Sequence, residues 1–463
     1  MKIKDATFVN ERQVVDILQK SGNTEAAKVR EVLVKARETK GLNLQDVAIL
    51  TGITEPELLH ELFATARHIK ETIYGKRLVL FAPLYISNLC ANECVYCAFR
   101  VNNDAIVRRA LSQQEIVRET ETLISQGHKR VLLVAGEYYT GPGINYVLDS
   151  IASIYGAGHR NTEIRRVNVN VAPLKVEEFR SLKNAKIGTY QLFQETYHHD
   201  TYHQVHVGGR KKDYDWRVTA MHRAMEAGID DVGIGVLFGL YDYRFELLAM
   251  MQHIHELEQV FGVGPHTISV PRIEPATGSE MASHPPHMVS DLEFRKIVAI
   301  LRLAVPYTGI IMSTRENAEM RRETFQLGVS QLSAGSRTNP GGYEEEDEAS
   351  GQFFMGDHRP LDEVIRDMVG MGFIPSFCTG CYRLGRTGQD FMDLAKPGDI
   401  KEHCGPNALS SFMEYLNNYA SPQTFIAGTE LIESTIAGMT GITKQRARKL
   451  VDRVKAGQKD VFC

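Results

Sequence analysis

No stretch of eighteen apolar residues occurs in the 463-residue chain; the longest candidate, Leu78–Ile86, is half that length and contains Pro83. A membrane-crossing helix needs about 20 such residues, so no membrane association is expected. The first residues, Met1-Lys2-Ile3-Lys4-Asp5-Ala6, lack the apolar core of a signal peptide, and a cytoplasmic location is the expectation. Neither sign of charge dominates: 53 Lys and Arg stand against 57 Asp and Glu, a formal net charge of −4. Proteins built to hold polyanions carry a basic excess, so nucleic acid is not an expected partner. Solenoid-type repeats are missing as well. What remains is ordinary globular composition, 43% hydrophobic and 24% charged, in a chain too long for one small core.

Cysteine is scarce and unevenly spent. Cys90, Cys94 and Cys97 fall within eight residues; none of the next 280 residues is a cysteine; Cys378, Cys381, Cys404 and Cys463 follow. An odd total of seven in a long chain without an export signal makes a disulfide framework a poor reading. Structural cysteines scatter through a core as small hydrophobes do, and these are grouped.

Residues 1–76 show helical apolar spacing, as in Val14, Val15, Ile17, Leu18 and Val32, Leu33, Ala36, and carry no catalytic constellation. From Arg77 onward, eight β-rich runs alternate with amphipathic segments: Leu78–Ser87, Arg130–Ala135, Arg166–Ala172, Ile187–Phe193, Asp231–Phe238, Thr267–Pro271, Gly309–Ser313 and Gly328–Ser333. Helix signals lie between them. Ser112 with Glu115 and Ser290 with Glu293 form capping boxes, the first helix closing at Gly127, and a segment from Asp215 closes at Ala227-Gly228. Such alternation predicts an α/β fold, a (β/α)8 TIM-type barrel over 77–340, with an N-terminal helical extension and a C-terminal helical domain over 341–463. Chemistry in such barrels sits at the C-terminal strand ends. Beyond the barrel, Glu344-Glu345-Glu346-Asp347-Glu348 reads as a mobile solvated loop, and the tail is helical from Gly405. Its basic cluster, Lys444 to Lys449, reads as a solvated helix face.

Cys90-Ala-Asn-Glu-Cys94-Val-Tyr-Cys97 follows the first strand and so belongs to the functional face. Three thiolates can hold a cubane iron–sulfur cluster with one iron left open, and three close cysteines also suit zinc with a distant fourth ligand. Cys378, Cys381 and Cys404, as CX2CX22C, leave the same two readings, with His358 or His403 available to complete zinc.

The CX3CX2C spacing after strand one, with Tyr96 before its last cysteine, resembles the signature of the radical S-adenosylmethionine superfamily. That resemblance implies a 4Fe-4S cluster on Cys90, Cys94 and Cys97, whose open iron chelates S-adenosylmethionine and cleaves it to a 5′-deoxyadenosyl radical. Other positions agree. Gly136-Glu137, ending strand two, resembles the segment that holds the methionine amino group. Glu195, past strand four, matches the ribose-contacting position. Arg217 matches an arginine that pairs with the cofactor carboxylate, and Gly235-Val-Leu-Phe-Gly239 resembles the adenine-side segment.

With the C-terminal CX2CX22C motif added, nearly the whole chain resembles the tyrosine lyases that mature FeFe hydrogenases. Membership would imply cleavage of L-tyrosine to p-cresol and a glycine fragment, which becomes carbon monoxide and cyanide. It would also imply an auxiliary iron–sulfur cluster on Cys378, Cys381 and Cys404 with a labile iron. Implied partners are a reductant such as a ferredoxin or flavodoxin and the other hydrogenase maturation proteins. His266, before strand six, matches the histidine that ligates the labile iron, and imidazole suits iron. A residue at a strand start should, however, lie on the face opposite the chemistry. Either the strand boundary is displaced or the histidine reaches its site by another route. At the strand-seven end, Arg315 is placed to take an amino-acid carboxylate through its planar fork, with Arg272 as the second choice. Ser333, ending strand eight, resembles a companion hydroxyl position. Two other readings stand beside this one: the related tyrosine lyase of thiamine thiazole synthesis, which lacks the C-terminal motif, and a non-catalytic iron–sulfur carrier. Cys463 carries no assigned role.

Overall fold

A computed structural model describes residues 6–22, 25–138, 143–345 and 350–463. Eight parallel strands form its centre: β1 (Arg77–Ser87), β2 (Arg130–Ala135), β3 (Arg166–Asn170), β4 (Tyr190–Gln191), β5 (Val232–Gly235), β6 (Thr267–Ser269), β7 (Gly309–Met312) and β8 (Gln331–Ser333). Each pairs with the next, and β8 returns to β1 with Val79 opposite Gln331, so the sheet closes into the expected barrel. After Arg77, β1 is buried along its whole length because lumen and helices cover its two faces.

Several strands are shorter than their apolar runs. β4 keeps only Tyr190 and Gln191 of the run Ile187–Phe193. Past it the chain turns at Glu195, whose φ of +73° lies in the left-handed region, and contact with the neighbouring strand continues as a single bridge to Val236. Both predicted capping boxes form, opening helices Gln113–Ser125 and Asp291–Ala304. The segment from Asp215 is two helices, Tyr214–Val218 and Ala220–Glu226, rather than one. Thr219 interrupts it: its hydroxyl bonds back to the Asp215 carbonyl and also receives Arg223.

One further strand decides how the C-terminal part meets the barrel. The second half of β1, Ala82–Ser87, pairs with β2, so its first residues project below that ladder. There they pair in parallel with β9 (Ile374–Ser376), Arg77 opposite Ile374 and Val79 opposite Ser376. Pro375 is tolerated because β9 is the outermost strand and needs no full set of donors. The chain then delivers Cys378 to the barrel floor.

The N-terminal part supplies four helices, Glu11–Lys20, Ala26–Ala36, Leu44–Thr51 and Pro56–Tyr74. The C-terminal tail is helical as expected, but its long helix starts at Ile400 and runs through Gly405-Pro406. Cys404, Pro406 and Asn407 are buried, and that packing overrides two residues that would stop an isolated helix. The basic helix Gly441–Lys455 is tied to the preceding one by Arg448 and Lys455 on Glu433. Within the acid run, Glu344 meets Arg118 and Glu345 meets Arg109, so this part is anchored rather than freely solvated. Glu346, Asp347 and Glu348 lie outside the described residues, as do residues 1–5 of the N-terminal segment. Among the described residues no helix is long and apolar enough to cross a membrane.

Candidate active site

At the C-terminal end of the barrel, Cys90, Cys94, Tyr96, Cys97, Gly136, Glu137, Glu195, Arg217, Arg315 and Ser333 line one cavity. All ten were singled out from sequence for this end of the barrel. The cysteine loop is pinned by its own small ladder, in which Cys94 pairs with His206. Tyr96 places its hydroxyl 2.9 Å from His206 Nε2, and His206 Nδ1 donates to the Tyr202 carbonyl at 2.9 Å. Gly136 lies so close to the loop that a Cβ there would strike the Leu89 carbonyl oxygen, which explains the glycine.

Four charged groups organise the cavity wall. Arg217 donates Nε to the Phe193 carbonyl at 2.7 Å and Nη1 to Glu137 Oε1 at 2.9 Å, with Nη2 3.5 Å from Glu195. The guanidinium expected to hold a cofactor carboxylate is therefore already shared between two acids of the protein. Lys211, which sequence reading passed over, donates to Glu195 Oε1 at 2.6 Å. Asn92, also passed over, donates to Glu137 Oε2 at 2.7 Å and accepts the Lys211 backbone N–H at 3.0 Å. No local pattern marks either residue; both lie beside glycine-rich or cysteine-rich turns that acquire meaning only in space. Burial alone would push the Glu137 carboxyl up, but Arg217 and Lys211 outweigh it and hold the group below the ordinary carboxylate range. Burial pushes the Cys90 thiol up to about 11 and raises Cys94 and Cys97 as well, with Lys211 opposing at the latter two. Metal binding there would have to displace those protons, as it does at any buried thiolate site.

Arg315 points across the same cavity with its guanidinium 3.3 Å from the Phe353 ring centroid. It is not paired with Glu316, because Arg272 takes that carboxylate along with Asp291. Arg272 is thereby committed, and of these two arginines Arg315 is the one that faces the cavity. Glu274 lies on the same wall, its carboxyl pushed up to about 7 by burial and by the charge of Glu316.

A second pocket lies at the opposite end of β1. Cys378, Cys381, Cys404 and His266 line it together with Arg77, Arg130 and Tyr382. The strand boundary at His266 stands, since β6 begins at Thr267. The histidine sits on the floor of the barrel because the second thiol group sits there too, and this resolves the expectation that its face was wrong. His358 and His403 do not line the pocket. Arg130 donates to the Cys378 carbonyl at 2.8 Å, and the Gly380 N–H lies 3.3 Å from Cys378 Sγ. A hydrogen bond from Cys381 and the charges of Arg77, Arg386 and Arg130 hold the Cys404 thiol below its ordinary value. The donor chemistry, three thiols and an imidazole among buried guanidinium groups, fits an anionic, sulfur-ligated metal cluster. Among the described residues no three His, Cys, Asp or Glu side chains are gathered as the ligands of a single ion are. A cubane takes one thiolate per iron, so its ligands stand wider apart than those of one ion.

Residues 84–254 match the model of the radical S-adenosylmethionine superfamily, and residues 269–374 that of the biotin and thiamin synthesis associated domain. A crystal structure of HydG, a maturase of the FeFe hydrogenase, superposes with a TM-score of 0.96 at 45% identity, covering 99% of this chain and all of that one. HydG from Carboxydothermus hydrogenoformans gives 0.84 at 41% identity, covering 95% of this chain and 97% of that one. The 2-iminoacetate synthase of Escherichia coli strain K12 is 30% identical over 77% of this chain and 92% of its own length. Likeness to HydG thus extends over nearly all of the chain, including the part that carries the floor pocket. The chain belongs to the HydG family of FeFe-hydrogenase maturases, within the radical S-adenosylmethionine superfamily.

Proposed function

We infer that this protein is a radical S-adenosylmethionine tyrosine lyase, cleaving L-tyrosine to p-cresol and a glycine fragment that yields carbon monoxide and cyanide for hydrogenase maturation. The observation that carries this reading over 2-iminoacetate formation is the floor pocket, where three thiols and His266 gather at the far end of the barrel from the CX3CX2C loop. The chain divides accordingly into a helical extension over 1–76, the barrel over 77–340 and a cluster-bearing region over 341–463.

Cys90, Cys94 and Cys97 hold the cluster at the barrel mouth, which when bound supplies the electron that cleaves S-adenosylmethionine to a hydrogen-abstracting radical. Tyr96 braces this loop through His206. Glu137 and Gly136 face the methionine ammonium, and Glu195 faces the ribose. Arg217 acts in this reading by fixing both acids, with Lys211 completing the charge balance at Glu195. Arg315 takes the carboxylate of tyrosine, and Ser333 offers a hydroxyl beside it. Phe353 holds the guanidinium in place by stacking, which excludes water from one of its faces. At the floor, Cys378, Cys381 and Cys404 would hold the auxiliary cluster and His266 its labile iron, which when bound would supply iron to take up the two diatomic products.

The test is turnover by the anaerobically reconstituted protein with S-adenosylmethionine, L-tyrosine and a ferredoxin, flavodoxin or dithionite reductant. p-Cresol with 5′-deoxyadenosine and carbon monoxide is expected. p-Cresol without carbon monoxide would favour 2-iminoacetate formation, and neither product would leave a carrier.

A further inference from the structure

Behind His266, outside the lining of the floor pocket, lies a buried acid that none of the roles above uses. Asp231 directly precedes β5, and the β5–β6 register sets Gly233 opposite Thr267, so the residues just below those strands, Asp231 and His266, are brought side by side. The His266 N–H donates to the Val232 carbonyl at 2.8 Å, which fixes the backbone of the pair. Both side chains are buried. Asp231 Oδ1 lies 3.6 Å from His266 Nδ1, just beyond hydrogen-bond distance, and the buried Nδ1 has no hydrogen-bond partner, so the carboxylate is the acid set to take its proton. On the other side of the ring, the Tyr382 hydroxyl is 3.1 Å from Nε2, the nitrogen that faces the cysteine-bearing segment.

Asp231 is itself held from two further elements. Arg166, at the start of β3, places Nη2 3.5 Å from its Oδ2, and the Gly388 N–H donates to its Oδ1 at 3.3 Å. Gly388 has φ of +52°, and a Cβ there would press on Asp230, so the C-terminal segment can bring its N–H to the carboxylate only as glycine.

We propose that Asp231 is the positioning residue of His266: its carboxylate is placed to take the Nδ1 proton, fixes the tautomer whose Nε2 carries the lone pair, and orients that nitrogen, which the Tyr382 hydroxyl now meets, toward the metal that the floor would bind. The physical need is general. An imidazole that ligates through one nitrogen requires the proton on the other, and a carboxylate acceptor fixes both tautomer and ring angle. Asp231 meets this need from an adjacent strand, and Arg166 with Gly388 keeps its second oxygen and its orientation fixed. This proposal rests on His266 being the iron ligand, and the experiment separates the two.

Ferrous ion alone is titrated into reconstituted protein that carries its clusters, for wild type, His266→Ala, Asp231→Asn and Asp231→Leu. In parallel, 15N shifts of the labelled imidazoles are recorded on the metal-free proteins, with His266→Gln identifying the resonance. Ferrous binding lost in His266→Ala, weakened about 10–100-fold in Asp231→Asn and lost in Asp231→Leu is the expected pattern. His266 carries its proton on Nδ1 in wild type and Asp231→Asn, and a tautomer mixture forms in Asp231→Leu. If Asp231→Leu does not fold, the Asn variant and the tautomer of the wild-type ring still decide. Wild-type ferrous affinity in both Asp231 variants, with loss in His266→Ala, overturns the proposal and leaves the ligand standing. Undiminished affinity in His266→Ala overturns both.

Discussion

Arg315 and Glu246 show how neighbours set what a charged residue can do. Arg315 and Arg272 lie on adjacent strand ends and could exchange roles on paper. The structure separates them, because Glu316 and Asp291 occupy Arg272 while Arg315 faces the cavity over Phe353. Arg315→Ala is therefore expected to weaken tyrosine binding by about 1.5–3 kcal/mol, the usual scale of a charge-assisted hydrogen bond. Cofactor cleavage without tyrosine should change little; unaltered tyrosine affinity would place the carboxylate elsewhere. Glu246 makes a different point. It is buried, accepts bonds from Thr196 and the Tyr197 N–H, and has its carboxyl pushed up to about 8 by burial against an ordinary 4.5. Between those two values the unfolded chain is ionised there while the folded chain keeps the proton, so this group's contribution to stability falls as pH rises from about 4.5 to about 8. Glu246→Gln removes that loss. The unfolding free energy of the variant relative to wild type, measured by urea denaturation, should rise between pH 5 and pH 8.5 by an amount on the order of 1 kcal/mol or more. An equal difference at both pH values would refute it.

Between elements, the decisive contact is the one that docks the long C-terminal helix Ile400–Asn418 under the barrel. Arg165, just before β3, donates to Glu414 of that helix at 2.5 and 3.0 Å, and both side chains are almost fully buried. The Asp460 N–H donates to Glu414 as well, and Asp460 lies 3.3 Å from Arg165, tying the end of the chain to the same junction. Removing one partner of such a pair leaves an uncompensated buried charge. Arg165→Ala should cost about 3–5 kcal/mol. Arg165→Met combined with Glu414→Leu should recover most of that, because the double change removes both desolvation penalties. Urea unfolding of the three proteins checks it: a double variant as unstable as the single one would mean the junction depends on something other than this pair.

At the scale of the whole molecule, the two thiol sites lie at opposite ends of the eleven-residue strand β1 and share no lining residue. Such a separation makes them independently removable. Cys378→Ala with Cys381→Ala should leave p-cresol formation in place, since tyrosine binding and hydrogen abstraction belong to the barrel mouth, while carbon monoxide should fall sharply. Cys90→Ala, Cys94→Ala and Cys97→Ala together should abolish 5′-deoxyadenosine formation outright. Parallel loss of p-cresol and carbon monoxide in the C-terminal variant would make the floor site structural.

The sequence by itself determined the repeating architecture and the residue types of the chemistry. Eight apolar runs separated by capped helices specify a closed parallel barrel because each strand must be covered on both faces. Three thiols in eight residues after the first run specify a soft-metal site by spacing alone. These signals are local, and local signals survive in one dimension. The tertiary structure decided what depends on partners far apart in the chain. Tyr382 meets His266 across 116 positions, and Arg217 meets Glu137 across 80. His266 looked misplaced in sequence because nothing local states that β9 pairs with the lower end of β1 and carries a second thiol group to the floor. Lys211, Asn92 and Asp231 were invisible for the same reason: a charge or an amide has no periodicity, and its role is set by which group stands opposite it once the barrel closes.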